Sequence, residues 1–402
     1  MKRSDLHRQL RDVPIPDEHG ARERGWRVVR AGFAGHRPPT YAARVPARLG
    51  IAIALAALAL VLVLTPAGAK VVDAVRDVVE PGAENARPTL TSLPAPGSLL
   101  VTSPEGPWIV HHDGSKRLLG PYDDATWSPS GLFVAVTRGR ELTAVDPVGT
   151  VRWSLPSEHP VSDPAWSPSG VRVAYLSGSS LRVVDGDGTD DGPLVNRVES
   201  VTPAWRPLRE PLAAGEVTYA TGTNVLAYAD RHNRVTLHNV DAASTLWRTH
   251  PYDSPIRELE WSADRKRLLV RTDSLVDVLD ARGRGVGSLA GPTLDASVSP
   301  DHTQIAVIRR TKQRASDLVL TGSDGRGRSR SILSGLGRIT TPTWSPDGKR
   351  LLVAWRDADQ WIFYDAARPD RAHPVGHISR QFDPSATGRP SFPQIRGWCC
   401  AR

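Results

Sequence analysis

Cysteine is almost absent from this chain: two residues in 402, and they are neighbours, Cys399 and Cys400. A disulfide framework is therefore excluded, as are the paired Cys-x-x-Cys spacings of zinc and redox sites. The simplest reading makes them two small apolar residues in a last strand, with a strained vicinal disulfide as the alternative. Lysine is scarce too. Only six of the 51 basic residues are Lys (2, 70, 116, 266, 312 and 349), a bias that points to a GC-rich genome and says little about chemistry. Recognisable catalytic motifs are missing as well: there is no Gly-x-Ser-x-Gly elbow, Ser-x-x-Lys, HExxH or Walker A loop. The sequence thus offers no nucleophile, metal ligand pair or phosphate cradle in a familiar local arrangement. A charged fraction of 23% is that of an ordinary folded chain, neither disordered nor polytopic.

Positive charge is confined to one end. Residues 1–48 hold eleven Lys and Arg against five Asp and Glu, an excess of six out of the net +8. The basic pI describes a tail, so it gives no support to a nucleic-acid-binding domain. Long apolar runs are also rare, with one exception. Between Arg48 and Lys70 lie 21 uncharged residues beginning LGIAIALAALALVLVL. At about 1.5 Å per residue such a run spans about 30 Å, the thickness of a bilayer core. It is apolar on every face, unlike a core helix.

These features predict one transmembrane helix over 49–69, preceded by a basic cytoplasmic tail, 1–48. The bulk of the chain is then placed outside the cell, in a single-pass cell-membrane protein. Ala67-Gly68-Ala69 fits a signal-peptidase site, but the long tail ahead of it favours an uncleaved anchor. Within the tail, Asp17 to Phe33 is the best helical stretch, and Trp26, Val29 and Phe33 share one face of it. That face suits the inner leaflet or a cytoplasmic partner; the plainer reading is a loosely ordered tail. After the membrane, residues 70–97 read as a juxtamembrane helix, Lys70 to Glu80, and a Pro-rich spacer.

What the chain does have is a recurring phrase. It appears as ATWSPSGLFVAV (125–136), PAWSPSGVRVAYL (164–176), LEWSADRKRLLV (259–270), ASVSPDHTQIAVI (296–308) and PTWSPDGKRLLVAW (342–355). A degenerate copy, PAWRPL, starts at Pro203. Trp127, Trp166 and Trp205 are 39 residues apart, twice over. Trp ends a strand with a large apolar plate, and Ser-Pro-Asp-Gly turns the chain, with Pro fixing φ and Gly taking a positive φ. The run after it is apolar enough to be a strand buried on both faces. A third strand then ends at an Asp-containing turn, as in LRVVDGDG (181–188) and SLVDVLDARG (274–283). Four strand signals in about 40 residues make one propeller blade.

This phrase resembles the PD40 repeats of TolB-like propeller proteins, over roughly residues 98–400, and residues 98–402 are expected to form the propeller domain. The departures are Val298 for Trp, Ala263 for Pro, and an insertion near 208–220 in the copy at Trp205. Two segments, AVDPVGTVRW (144–153) and NVDAASTLW (239–247), also look like the repeats of quinoprotein-type propellers. The resemblance implies a membrane-anchored bacterial member of actinobacterial type, with envelope-associated protein contacts and no partner residue carried over.

Six units run from Ala125 to Gly376. Ahead of them SLLVTS, PWIVHHDG and SKRLLG (98–120) lack a leading strand, and behind them PSFPQIRGWCC (390–400) supplies one. The expectation is an all-β propeller of seven four-stranded blades whose ends close the ring, with six or eight as alternatives.

Candidate chemistry is thin. Asp185, Asp187, Asp190 and Asp191 look like a calcium loop but fall where other units have a hairpin turn, and lack the Gly and Glu of that motif. His111, His112 and Asp113 stand at a similar turn, where adjacent His residues face opposite ways on a strand. His232, His238 and His250 lack metal-ligand spacing. No catalytic, cofactor or metal site is assigned.

The expected function is a non-catalytic, exported and anchored propeller that binds a protein or envelope component. A transmembrane sensor acting through the tail is the alternative, and an envelope hydrolase or lyase with a site on the propeller is a further one.

Overall fold

The structure is a computed structural model, and it describes residues 89–208, 224–312, 315–326 and 329–400. The basic tail, the apolar run over 49–69 and the helix expected at 70–80 lie outside those residues. Among the described residues no helix is long and apolar enough to cross a membrane.

Seven antiparallel sheets of four strands each make up the fold. The chain enters through β1 (Ser98–Ser103), β2 (Gly106–Val110) and β3 (Lys116–Leu118). Blade 1 follows as β4 (Asp124–Trp127), β5 (Val134–Arg138), β6 (Glu141–Val145) and β7 (Val151–Pro156). Blade 2 is β8 (Val161–Trp166), β9 (Arg172–Ser177), β10 (Ser180–Asp185) and β11 (Gly192–Val195), and blade 3 is β12 (Ala204–Trp205), β13 (Val225–Ala229), β14 (Val235–Asn239) and β15 (Ser244–Arg248). Blade 4 comprises β16 (Ile256–Trp261), β17 (Arg267–Thr272), β18 (Leu275–Asp280) and β19 (Gly285–Ala290). Blade 5 comprises β20 (Thr293–Val298), β21 (Gln304–Lys312), β22 (Ala315–Gly322) and β23 (Arg330–Leu336). Blade 6 holds β24 (Ile339–Trp344), β25 (Arg350–Trp355), β26 (Gln360–Asp365) and β27 (Ala372–Val375). A short helix, α1 (Ile378–Phe382), leads to the last strand, β28 (Gln394–Cys399).

That last strand joins β1, so blade 7 reads β28-β1-β2-β3. The expected composite blade is what the structure contains. Leu99 pairs with Trp398 and Ser98 with Cys399, and no sheet edge is left open at the join. The first strands β4, β8, β12, β16, β20, β24 and β28 touch in that order, and β28 touches β4 again. This closed circuit places them innermost, around the axis. Fourth strands such as β7 and β15 are outermost and largely exposed.

The recurring phrase explains the packing. Its strand after the turn is buried on both faces, as in β13 and β25. Each Ser of the phrase is buried and centres the turn. Ser345 accepts the N–H of Arg350 at 2.9 Å and donates to Asp347 Oδ1 at 2.6 Å, and Ser262 and Ser299 repeat the arrangement. In blades 1 and 2 a second serine, Ser130 or Ser169, stands in for that Asp. The closing residue of the turn takes a positive φ, and Arg265 and His302 do so as well as Gly131, Gly170 and Gly348. The hydrogen-bonded Ser and Asp hold those two non-glycine residues in the left-handed region.

Tryptophans stitch neighbouring blades. Trp205 Nε1–H donates to the Ala165 carbonyl at 2.9 Å, and Trp344 Nε1–H to Ser297 at 3.3 Å. The outer-strand Trp153 and Trp247, in the two quinoprotein-like segments, donate to Gly186 and Ala281 of the next blade at 2.8 and 3.0 Å. Each indole lies over a glycine. A Cβ at Gly188 or Gly283 would stand 2.9 or 2.7 Å from the ring, and both glycines have positive φ.

Residues 89–97, grouped by the sequence with the spacer, lie along blade 7. Leu90, Leu93 and Ala95 are buried in the cluster that holds Trp361, Phe363 and Phe382. Leu93 N–H donates to the His112 carbonyl at 2.9 Å, and Trp398 Nε1–H to the Pro96 carbonyl at 3.1 Å.

Of the two readings of the cysteines, the structure has the alternative: Cys399, in the last strand, and Cys400 form a vicinal disulfide. Cys400 leaves the strand at φ 64, which brings its sulfur against the turn of blade 1. A Cβ at Gly131 would lie 2.7 Å from Cys400 Sγ.

Candidate functional site

Three regions of the ring are candidates: the axis, the face of the β-turns, and the opposite face. On the axis, a polar residue stands three positions before the inner-strand Trp or Val298 of blades 1 to 6: Asp124, Asp163, Thr202, Glu258, Asp295 and Thr341. In β8, β16, β20 and β24 the pairing register shifts at this point. A bulge re-aims the side chain, and Asp163 and Thr341 take positive φ there. The re-aimed groups reach the next blade. Thr202 donates to Asp163 Oδ1 at 2.7 Å, and Thr341 N–H to Asp295 Oδ2 at 2.7 Å. Val298 N–H and Ser297 Oγ bond Glu260 at 3.1 and 3.3 Å. Arg271 pairs with Glu258 at 2.7 Å, and Arg396 with Asp124 at 3.0 Å.

Crowding around the axis raises the acids. Desolvation, helped by the charge of Glu258, pushes Glu260 up to about 8. Desolvation also raises Glu258, Asp295 and Asp124, against the pull of a guanidinium in each case. Glu258 keeps 31% of its side-chain surface open, but the inner strands exclude enough water for desolvation to outweigh Arg271. Acids converging on the axis are what a hydrolase reading asks for. Here their oxygens accept bonds from the adjoining blade, so the belt acts in closing the ring.

The turn face carries the inner turns and those between third and fourth strands. In blades 4 and 6 its aspartates are tucked in and ion-paired with cations that project beyond them, whereas Asp113, Asp187 and Asp190 on the same face are exposed. Asp264, Asp347 and Asp280 expose 16, 24 and 26% of their side chains, whereas Lys266, Lys349 and Arg284 expose 80, 80 and 70%. One cleft there is lined by Arg206, Asp264, Arg265, Lys266, Asp280, Ala281 and Arg282. Another brings Pro94 and Ala95 beside Lys349, Arg350 and Arg368. The chain therefore enters the propeller on this face, between blades 6 and 7.

The opposite, distal face carries the connections from one blade to the next. Connections between blades there run from two residues (291–292) to eighteen (376–393). The longest is pinned in place. Ser379 bonds Asp359 through both N–H and hydroxyl at 2.7 and 2.6 Å, Ser385 donates to Glu105 Oε1 at 2.5 Å, and Phe382 packs 5.3 Å from Trp361.

The residues singled out in the sequence are scattered among these regions. Asp185 and Asp187 form the hairpin turn expected of them, with Gly188 N–H bonding the Asp185 carbonyl and Thr189 bonding Asp187. Asp191 instead takes Arg182 and the Tyr175 hydroxyl. His111 to Gly114 form a turn of blade 7, and His112 Nδ1 lies 2.9 Å from the Ala95 carbonyl. His232 is in a distal turn, His250 is exposed, and His238 is buried in blade 3, where desolvation and then Arg248 lower its pKa. No cluster of three or more His, Cys, Asp or Glu suited to a metal exists among the described residues. Trp26, Val29 and Phe33 lie outside them. The axial belt was missed, although its signal, a fixed offset from the tryptophans, is present in every copy of the phrase.

No protein-family model matches the chain, and neither does any curated protein. Solved structures do. The C-terminal WD40 domain of Sif2 is 12% identical with a TM-score of 0.51, covering 70% of this chain and 85% of that one. Hsv2 of Kluyveromyces lactis is 12% identical with a TM-score of 0.48, covering 70% of this chain and 93% of its own. At such identity the likeness is one of fold, and the fold is a WD40-like, seven-bladed β-propeller.

Proposed function

We propose that the chain is a membrane-anchored, exported propeller that binds a protein or cell-envelope component through its distal face, as a TolB-like scaffold and not as an enzyme. The observation that carries this reading is the division of labour between the faces. Inner turns on one side share a Ser-centred design in blades 1, 2, 4, 5 and 6, with the long 206–224 connection of blade 3 as the exception, whereas connections on the other side vary from two to eighteen residues on the same rigid ring. Loops free to vary on a fixed scaffold are where propellers and other folds place recognition. Support for anchoring comes from the sequence: the apolar run over 49–69 and the basic flank ahead of it.

The test is photo-crosslinking in intact cells from Thr387, in the long distal connection, and from Lys266 on the turn face. Protein or glycan adducts from Thr387 that are absent from Lys266 are expected. Protein adducts from Lys266 with none from Thr387 would refute the distal assignment.

A further inference from the structure

We propose that Cys399–Cys400 is a reversible thiol–disulfide exchange site, reduced by a dithiol that enters the cleft between blades 7 and 1. This chemistry goes beyond the binding proposed above and depends on neither the anchor nor the distal face.

Stapling a fold is the ordinary use of a disulfide, and this one is ill suited to it. The stabilisation that a disulfide gives through the unfolded chain grows with the loop it closes. These cysteines are neighbours in the chain, so the bond closes no loop and leaves the unfolded ensemble almost unrestricted. Nor does the seam of the ring depend on it. Cys399 is already held by the ladder of the composite blade, where it pairs with Ser98. Beside it, Trp398 Nε1–H is tied to the Pro96 carbonyl at 3.1 Å.

The bond stands where a reagent reaches it. Both cysteines line a cleft of about 460 Å³ on the turn face, between His111 and Asp113 of blade 7 and Trp127, Gly131 and Pro147 of blade 1. Gly131 makes the room that the second sulfur occupies, since a Cβ there would stand 2.7 Å from Cys400 Sγ.

The two sulfurs are not equivalent. Cys399 Sγ lies 3.8 Å from the carbonyl of buried Ser128, and Cys400 Sγ 3.7 Å from the carbonyl of exposed Pro129. Cys400 is outside the ladder at φ 64, a left-handed backbone that a residue with a Cβ keeps when its surroundings hold it. A thiolate entering the cleft therefore meets Cys400 Sγ first. Its attack forms a mixed disulfide and expels Cys399 as a thiolate. The second thiol of the reagent, deprotonated, then attacks the reagent's own sulfur in that mixed disulfide and expels Cys400. The reagent leaves as a disulfide, and the cysteines take up through water the two protons it has lost. Each new S–H has an acceptor in the carbonyl already beside it, which a disulfide sulfur has no hydrogen to use. Reduction thus frees Cys400 and its contact with the blade 1 turn, while Cys399 stays in the ladder.

The test uses the full chain purified in air, with the bond read by mass before and after alkylation. Dithiothreitol at neutral pH should reduce the folded chain at a rate within about tenfold of that for the chain unfolded in guanidinium. The reduced, folded form should capture one phenylarsine oxide, which needs two adjacent thiols. Amide exchange should then rise in 128–133 and 398–400 and stay unchanged in the other blades. In single variants, the Cys400 left by Cys399→Ser should react with a small aromatic disulfide at least about tenfold faster than the Cys399 left by Cys400→Ser. Reduction that requires denaturant would overturn the inference, as would free thiols in the air-purified chain or faster reaction of Cys399. Faster amide exchange in every blade on reduction would overturn it in favour of a staple.

Discussion

Arg396, on the last strand, pairs with Asp124 of blade 1 at 3.0 Å, joining two residues 272 positions apart across the seam of the ring. The pair sits where β28 bulges between its bonds to Leu100 and Val101. One end of the chain thus closes the axial belt that the other blades build from their own carboxylates and threonines.

Removing residues 390–402 should therefore destabilise every blade, since it takes away an inner strand and opens two sheet edges. We expect the cooperative thermal transition to be lost or lowered by several kcal/mol, a large part of the stability of an ordinary domain. A smaller probe separates charge from strand. Arg396→Leu leaves Asp124 partly buried and unpaired and should cost about 1–3 kcal/mol. Adding Asp124→Asn should recover most of it. A truncated chain that unfolds at the same temperature would show that the join is dispensable.

Gly283→Ala drives a methyl group to 2.7 Å from the Trp247 ring at a residue with φ 78. The expected loss is about 2–4 kcal/mol, from overpacking and from the left-handed backbone together. Shortening the ring, as in Trp247→Leu, removes the collision but leaves the backbone cost. The double variant should accordingly lose less than the sum of the two single changes in chemical denaturation. Strict additivity would mean that indole and glycine are not coupled.

Stability should also fall towards alkaline pH. Glu260 titrates near 8 in the folded chain and at its ordinary value of 4.5 when unfolded. Between those values the folded state holds a proton that the unfolded state has released. The stability it contributes is full below about 4.5 and is lost as pH rises through 8. The turn aspartates act in the opposite sense. Burial alone would raise Asp264, Asp301 and Asp347, but bonds from the turn serines and backbone N–H groups together bring them below 3.8. Their contribution is lost as pH drops below that value. Denaturation followed from pH 3 to 9 should show both limbs, and Glu260→Gln should flatten the alkaline one, by on the order of 1 kcal/mol. An unchanged alkaline limb in that variant would remove Glu260 as its cause.

Much of this fold could be read from residues that have only one good use. Trp, a buried Ser, Pro and a left-handed closing residue at fixed spacing specify a turn, and six copies with unmatched ends specify a composite seventh blade. The belt was hidden because Asp, Glu and Thr at one offset do not look alike, and because a bulge, invisible in a period-two pattern, is what turns them to the axis. The vicinal disulfide stood only as an alternative in the sequence, because Cys399 and Cys400 read as strand residues until Cys400 leaves the strand at positive φ. Distal connections differ in length and composition from blade to blade, so no repeat marks them, and they are the surface on which the proposed function depends.

We propose an anchored propeller with its distal face turned outward. It is tested most directly by placing one protease site in the 376–393 connection and a second near Lys2, then treating intact spheroplasts with the protease. Cleavage at the distal site without lysis, with the site near Lys2 protected until the membrane is opened, is the predicted result. Cleavage near Lys2 in unlysed cells, or protection of both sites, would contradict it.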